Sequence, residues 1–234
     1  MAAGDLPQAE RVLVVGAHPD DPDFFCAGTV ARWTAGGTPV WYLVVTLGQK
    51  GVPPGVDPAT FGRTREAEQQ EAARLLGVEG VTFLDGVDGE VFDTLALRGQ
   101  ITEVIRRFRP QIVVTHDPLT RLYRQHPDHR AVGFAALHAA FPASRLATFF
   151  PDQMALGLEP HPVVGALLFG SERPDTFVDI APVFERKVEA LQAHVSQTSA
   201  FPGGLHDRVR SRAEEAGRLG GVALAESFLS VVLE

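Results

Sequence analysis

The fold of this chain is indicated most clearly by residues 12–21, which read VLVVGAHPDD. Their first four positions are continuously apolar, which is typical of a strand buried on both faces of a parallel sheet. The strand leads into a turn at Pro19 that carries His18, Asp20 and Asp21. In an open α/β sheet, ligands bind outside the carboxyl ends of the strands. We therefore expect these polar side chains to line a crevice at that edge.

The next hundred residues continue an alternation of strand and helix. This alternation predicts an α/β fold, a Rossmann-like parallel sheet flanked by helices on both faces. Long loops are predicted at 48–62 and 116–127. The predicted strands are 12–17, 40–46, 81–84 and 111–115, and the predicted helices are 24–36, 64–76, 95–108 and 128–140.

The pattern changes after Phe141, where prolines become frequent and the elements less regular. No linker or internal repeat separates this part from the rest, so we predict a single domain over residues 1–234 with an elaborated C-terminal third. Its predicted strands are 163–169, 176–180 and 228–233, and its predicted helices are 182–194 and 207–219.

Composition excludes several classes of function. The 21 Lys and Arg residues against 29 Asp and Glu give a net charge of −8, which argues against a nucleic-acid partner. A single cysteine, Cys26, excludes an intramolecular disulfide. The polar N-terminus does not resemble a signal peptide, and no apolar run is long enough to span a membrane. We therefore expect a cytoplasmic protein that does not bind membranes.

A second polar string, HPDH at 126–129, follows the fourth predicted strand on the same sheet edge. Together the two strings supply the ligands of a hydrolytic metal site and a spare acid or base. One carboxylate of the first string can bind the ion while its neighbour acts as the base. One of His126 and His129 can bind the ion while the other reaches the substrate. The alternatives are that Asp20 and Asp21 cap a helix, and that the histidines are solvated loop residues.

In combination these strings resemble the LmbE-like, or PIG-L, family of zinc-dependent N-acetylglucosaminyl deacetylases. Further matches follow in the same order along the chain: Gly28-Thr29, then Arg65 and Glu68, then the spaced residues of 187–197 that include His194. The resemblance covers nearly the whole chain and implies the same α/β fold.

The resemblance implies that His18, Asp21 and His129 hold Zn²⁺, although two histidines and an aspartate would also accept Fe²⁺ or Co²⁺. It makes Asp20 the general base that takes a proton from the attacking water. The implied activity is removal of the N-acetyl group from a GlcNAc-containing small molecule. Two alternatives stay open: hydrolysis of another amide or ester, and a non-catalytic sugar-binding or metal-binding relative.

The same resemblance gives His126 the role of polarising the carbonyl oxygen or protonating the leaving amine. It predicts that Asp128 orients His126 through a hydrogen bond. Relatives often assemble, so a homo-oligomer is also expected. His116 ends the fourth predicted strand, where it lines the pocket or is a satisfied strand-end histidine, and His194 is expected at the pocket or at a subunit contact.

Substrate-binding residues are indicated less directly. Arg65 is expected to face the crevice and hold a sugar hydroxyl or phosphate, or else to form a surface ion pair with Glu68. Some members carry a tyrosine two residues before His126; this chain has arginine there, and Tyr123 is the nearest candidate to stabilise the oxyanion. Many members also have a glutamate after the paired aspartates, where this chain has Pro22-Asp23.

Overall fold

The computed structural model describes residues 4–120, 124–199 and 204–233. Within those ranges, seven strands form one sheet, and these strands are spread along almost the whole sequence. The strands are β1 (Val12–Gly16), β2 (Val40–Thr46), β3 (Gly80–Gly86), β4 (Ile112–His116), β5 (Gly165–Phe169), β6 (Thr176–Asp179) and β7 (Ala225–Val232). Their order in the sheet is β3-β2-β1-β4-β5-β7-β6.

Helices cover both faces of this sheet, as the alternating pattern predicted. Those in the described part of the chain are α1 (Asp21–Ala35), α2 (Pro58–Leu76), α3 (Leu95–Phe108), α4 (Pro127–Ala140), α5 (Pro151–Ala155), α6 (Phe184–Gln192), α7 (Val195–Thr198) and α8 (Leu205–Gly220). Helix α2 begins six residues before the predicted start. Asp57 caps its N-terminus by accepting a hydrogen bond from the Thr60 amide, and Pro58 occupies the first turn. The predicted loop at 48–62 is correspondingly shorter.

Strand β1 lies at the point where the strand order reverses. It pairs in parallel with β2 on one side and with β4 on the other. The pairs β2–β3 and β4–β5 are parallel as well, so the prediction of a parallel sheet is confirmed for the first five strands. Strand β7 differs, because it runs antiparallel between β5 and β6. The reversal at β1 opens a crevice at the carboxyl ends of β1 and β4.

In the described residues, two apolar layers cover the two faces of the sheet, and a third, smaller cluster lies between α6 and α8. Val12 and Val14 of β1 face the layer of α1, α2 and α6, whereas Leu13 and Val15 face the layer of α3 and α4. This alternation with a period of two makes every residue of β1 buried. A strand buried on both faces has little freedom to shift, so the loop that follows Gly16 begins from a fixed point.

Helix α1 is interrupted at Cys26, whose backbone angles are φ −142° and ψ 16°. Two buried side chains from the C-terminal third bond to the backbone beside the interruption. Lys187 donates to the Phe24 carbonyl oxygen at 2.9 Å, and Glu226 accepts from the Gly28 amide at 2.9 Å. An unbroken helix would join that carbonyl and that amide to each other. Lys187 and Glu226 also contact one another at 2.5 Å, so the ion pair bridges the break.

Within the described residues, no helix has the length and hydropathy needed to cross a bilayer. The cytoplasmic location and the homo-oligomer stay predictions.

Glu226→Ala is expected to lower the free energy of unfolding by about 3–5 kcal/mol, because it leaves the buried Lys187 ammonium without its counter-charge. At about 2–4 °C per kcal/mol for a domain of this size, thermal unfolding should shift down by about 10 °C. The control is Glu185→Ala, which removes a carboxylate that is 74% exposed and should change the transition by about 1 °C or less. Equal transitions in the two variants would contradict the bridging role.

Candidate metal and catalytic site

The loops that leave β1 and β4 meet the N-terminus of α4 at one edge of the sheet, as the sequence predicted. The approach of α4 depends on Gly133, where a Cβ would lie 2.5 Å from the His116 carbonyl oxygen. The close contact brings the His129 ring over the His116 ring, with centroids 3.9 Å apart. The two polar strings, a hundred residues apart in sequence, therefore form one cluster.

Three side chains of this cluster can each offer one ligand atom to the same ion. The candidate atoms of His18, Asp21 and His129 all lie within 4.8 Å of one another. Asp21 Oδ1 is 3.2 Å from His129 Nε2, and Asp21 Oδ2 is 3.5 Å from His18 Nδ1. Two imidazoles and one carboxylate form a donor set that suits a divalent transition metal with one position left open. The residues present therefore fit a metal ion.

The Asp21 carboxylate is held by hydrogen bonds from two directions. Its Oδ2 accepts from the backbone amides of Ala17 at 3.0 Å and His18 at 2.8 Å, and lies 3.2 Å from His116 Nε2. Although burial opposes the charged form, His129 and His116 hold the pKa of Asp21 well below its usual range. Because Oδ2 has several protein partners, Oδ1 is the oxygen turned toward His129. The expected alternative, a helix-capping role, does not describe this carboxylate.

The far nitrogen of His18 contacts two further carboxylates. Nε2 lies 3.2 Å from Asp128 Oδ2 and 3.2 Å from Asp88 Oδ1. Burial alone would favour neutral imidazole, but hydrogen bonds to Asp128, Asp21 and Asp88 raise the pKa of His18 to about 11. Carboxylates on the outer nitrogen of a histidine fix its ring orientation when the inner nitrogen binds a metal. Sequence reasoning missed Asp88, whose only signal was its place in a loop after a predicted strand.

Asp128 does not hold His126 in the way we predicted. Its carboxylate accepts from the Gly89 amide at 2.7 Å and the Val91 amide at 3.2 Å, in addition to its contact with His18. The link to His126 runs through the backbone instead, since the Asp128 amide donates to His126 Nδ1 at 3.2 Å. The reason is helix geometry: His126 occupies the N-cap position of α4, where a side chain accepts from an amide two residues on.

Asp20 has the least common backbone conformation in the cluster. Its φ of 94° is in the left-handed region, which costs a non-glycine residue about 1–3 kcal/mol. Its amide donates to Gln69 Oε1 at 2.9 Å, and its Oδ1 accepts from Arg65 Nη2 at 3.1 Å. Burial raises the pKa of Asp20 to about 6, while the Arg65 charge acts in the opposite direction. Asp20 is at the N-cap position of α1 but makes no side-chain capping bond.

The structure corrects the expected environment of Arg65. The guanidinium is buried and donates to the carbonyl oxygens of Gly48 at 3.0 Å and Pro19 at 2.5 Å, as well as to Asp20. It therefore contacts the loop and the candidate base, where a sugar contact was expected. The alternative surface pair with Glu68 is also wrong, because the Glu68 carboxylate accepts from the amide and the hydroxyl of Ser196.

A pocket of about 280 Å³ opens beside the cluster, and His116, His126 and His129 are among the residues that line it. Phe25 and Phe169 stack at a centroid distance of 4.7 Å and form an apolar wall. His116 thus lines the pocket and contacts Asp21 at once. Burial and the neighbouring His129 lower the pKa of His116 to about 4, which leaves its imidazole neutral.

Two further residues singled out from the sequence, His194 and Tyr123, remain to be placed. His194 is fully buried and lies 2.8 Å from Asp23, so it is at neither the pocket nor an exposed subunit contact. Tyr123 lies outside the described residues, and its proposed contact with an oxyanion stays a prediction.

Comparison with known proteins finds one matching family and several similar proteins. Residues 13–140 match the model of the family described as PIG-L: GlcNAc-PI de-N-acetylase. The diacetylchitobiose deacetylase of Thermococcus kodakarensis is 34% identical, over 94% of this chain and 82% of its own length. The 1D-myo-inositol 2-acetamido-2-deoxy-alpha-D-glucopyranoside deacetylase of Mycobacteroides abscessus is 32% identical, over 83% of this chain and 84% of its own.

A solved structure shares the whole architecture. The N,N'-diacetylchitobiose deacetylase of Pyrococcus horikoshii superposes with a TM-score of 0.89 at 30% identity, and the match covers 97% of this chain and 87% of that one. The family model spans both polar strings of the cluster, His18 to Asp21 and His126 to His129. The chain therefore belongs to the PIG-L family.

Proposed function

We propose that this chain is a metal-dependent hydrolase that removes the N-acetyl group from a GlcNAc-containing small molecule. The observation that carries the proposal is a three-ligand group, His18, Asp21 and His129, beside two further titratable side chains, Asp20 and His126. Among the described residues, Asp20 belongs to no candidate ligand group, whereas His126 also lies in a second one with His18, Asp88 and Asp128. A module that only binds a metal or sugar has no need of the additional pair. The relatives with deacetylase names support the choice of an amide bond over an ester.

The ligand roles follow from the contacts described above. His18 Nδ1, Asp21 Oδ1 and His129 Nε2 would hold the ion, with zinc the first choice and Fe²⁺ or Co²⁺ also accepted. When bound, such an ion polarises an oxygen ligand and lowers the pKa of a water molecule to about 7. His18 is kept in orientation by Asp88 and Asp128 on its other nitrogen.

In the chemical step, Asp20 and His126 would carry out the proton transfers. The Asp20 carboxylate accepts a proton from the attacking water, whose oxygen forms a bond to the acetyl carbon. His126 donates a hydrogen bond to the developing oxyanion or a proton to the leaving nitrogen. The C–N bond then breaks as the leaving nitrogen takes up a proton, either from His126 or the one that Asp20 accepted, and the products are acetate and a free amine. Arg65 holds Asp20 in place, and Asp128 acts on His126 through its backbone amide.

The substrate class is inferred from the relatives and from the pocket. The pocket beside the three histidines has an apolar wall and a volume of about 280 Å³, which suits a ligand of about the size of one sugar unit. Diacetylchitobiose and a GlcNAc-inositol are the compounds named for the relatives, so both belong in a first panel. We further infer that residues 1–234 act as one deacetylase domain, because β1 and β7 belong to the same sheet.

The activity is tested by acetate release from metal-loaded protein offered GlcNAc, diacetylchitobiose, a GlcNAc-inositol and an acetyl ester. Release from an N-acetylated sugar is expected, and Asp20→Asn should lower kcat at least about a hundredfold through loss of the general base. Metal content should stay at the wild-type level. Asp152→Asn, an exposed carboxylate on α5, is the matched control. Release from the ester alone, or from none of the compounds, would contradict the proposal.

The ligand assignment is tested by metal analysis, which does not depend on turnover. Zinc at about a hundredfold excess over its Kd should stabilise the wild type by about 2.7 kcal/mol, a rise of about 5–10 °C in unfolding temperature. His129→Ala should lose this rise and the bound ion measured by mass spectrometry. His138→Ala, which removes a half-exposed histidine from the same helix, should keep both. Full zinc binding by His129→Ala would refute the assignment.

A further inference from the structure

We propose that His194, from the C-terminal third, is a positioning residue for Asp20 and acts on it through Asp23 and Gln69. In its kinetic consequences this inference rests on the proposed function, which makes Asp20 the general base. The contacts themselves do not depend on that function. The four residues form a continuous series of buried and partly buried hydrogen bonds from the start of α7 to the loop after β1.

The series begins at an imidazole that is completely enclosed. His194 Nε2 donates to Asp23 Oδ2 at 2.8 Å, and both side chains have no exposed surface. Its other ring nitrogen, Nδ1, has no hydrogen-bond partner among the described residues. The contact with Asp23 is therefore the polar interaction that the ring makes. Burying an imidazole for one hydrogen bond is costly, which indicates that the bond has a specific task.

The second step fixes the direction of an amide. Gln69 Nε2 donates to the same Asp23 Oδ2 at 2.7 Å. An amide group presents a donor at one end and an acceptor at the other. Because the donor end of Gln69 is turned to a carboxylate, its Oε1 is turned the opposite way, to the Asp20 amide at 2.9 Å. The Asp23 carboxylate thus selects one of the two orientations of Gln69. His194 holds Oδ2 of that carboxylate at 2.8 Å, and the Tyr42 hydroxyl donates to its Oδ1 at 3.5 Å.

The third step is the support of the Asp20 backbone, which has an unfavourable conformation. Asp20 has a φ of 94°, a conformation that persists only where surrounding contacts determine it. The Gln69 bond holds its amide, and Arg65 holds its side chain and the preceding carbonyl of Pro19. Arg65 and Gln69 are four residues apart on α2 and so project from one face of the helix. The two side chains act on Asp20 from the same side.

The C-terminal third is also attached to α2 by hydrogen bonds between Ser196 and Glu68. Glu68, one residue before Gln69, accepts from the amide of Ser196 at 2.8 Å and from its hydroxyl at 2.6 Å. Ser196 lies in the first turn of α7, and His194 is the N-cap residue of that helix. This attachment fixes the distance between His194 and Asp23. Helix α2 therefore transmits the position of α7 to the loop that carries the base.

The kinetic test compares His194→Leu, Gln69→Leu and the double variant in acetate release. Misplacement of a reacting group by about 1 Å can cost about a hundredfold, so each single variant is expected to lower kcat about ten- to a hundredfold. KM should stay within about twofold, and zinc content should not change. If His194 acts through Gln69, the double variant should be no slower than Gln69→Leu within about twofold. If the kcat losses of the two single variants multiply in the double variant, the proposed series is wrong.

Rescue and a matched control separate positioning from simple destabilisation. His194→Gln keeps a donor for Asp23 and should retain kcat within about threefold of the wild type. His161→Leu removes another buried histidine, whose Nε2 donates to the Pro110 carbonyl oxygen at 2.7 Å far along the chain from the site. It should lower the unfolding temperature but leave kcat within about twofold. A kcat loss in His161→Leu equal to that in His194→Leu would refute the role.

A second measurement works whether or not the protein proves to be a deacetylase. Amide hydrogen exchange at Asp20 reports its bond to Gln69, and loss of a bond of about 1–1.5 kcal/mol speeds exchange by about tenfold. Gln69→Leu should show that increase, and His194→Leu an increase of at least about threefold, relative to the amides of α3. Wild-type exchange at Asp20 in both variants would overturn the proposal. If His194→Leu does not fold, Asp23→Ala takes its place: it removes the acceptor through which His194 acts on Gln69, so it should give the same increase, and wild-type exchange at Asp20 would overturn the proposal.

Discussion

The structure of the site depends on the hydrogen bonds made by one carboxylate, that of Asp21. It accepts from the amides of Ala17 and His18, and thereby closes the loop after β1 on itself. It also contacts His116 at the end of β4 and His129 at the start of α4. Three elements that are separate in sequence are thus fixed against each other by one side chain. Without it, the His18 amide would lose the acceptor that lies 2.8 Å away, and the buried His116 ring would lose its contact with a carboxylate.

The adjacent carboxylate has a different role because the backbone reverses between the two residues. Asp21 is the first residue of α1, whereas Asp20 has a positive φ and its side chain contacts α2. Its contacts there are Arg65 and Gln69, and none of the partners of Asp21 is among them. Two neighbouring aspartates therefore differ in both surroundings and pKa. Such a separation of environments is what distinguishes a base from a ligand in one site.

The sequence was most informative where a short pattern determines a local structure. Helix α3 agrees with its prediction at both ends, because Thr94 caps one end and Arg109 leads into Pro110 at the other. The two polar strings could be placed on one sheet edge because parallel strands share the direction of their carboxyl ends. The direction of β7 could not be predicted, since its apolar pattern suits either orientation. Asp88 and the contacts of Arg65 also depend on loops whose course is set by tertiary packing.

The C-terminal third supplies side chains that support the first turn of α1, next to the candidate site. Lys187 and Glu226 bridge the interruption of α1, and His194 reaches Asp23 in the first turn of that helix. The interruption separates this first turn, which carries Asp21 and Asp23, from the part of α1 in the core. Because a broken helix cannot transmit the rigidity of its buried half, the first turn needs supports of its own. The residues that supply them come from α6, the segment after it and β7, so the C-terminal third adds to the support that Asp21, Arg65 and Gln69 give the site.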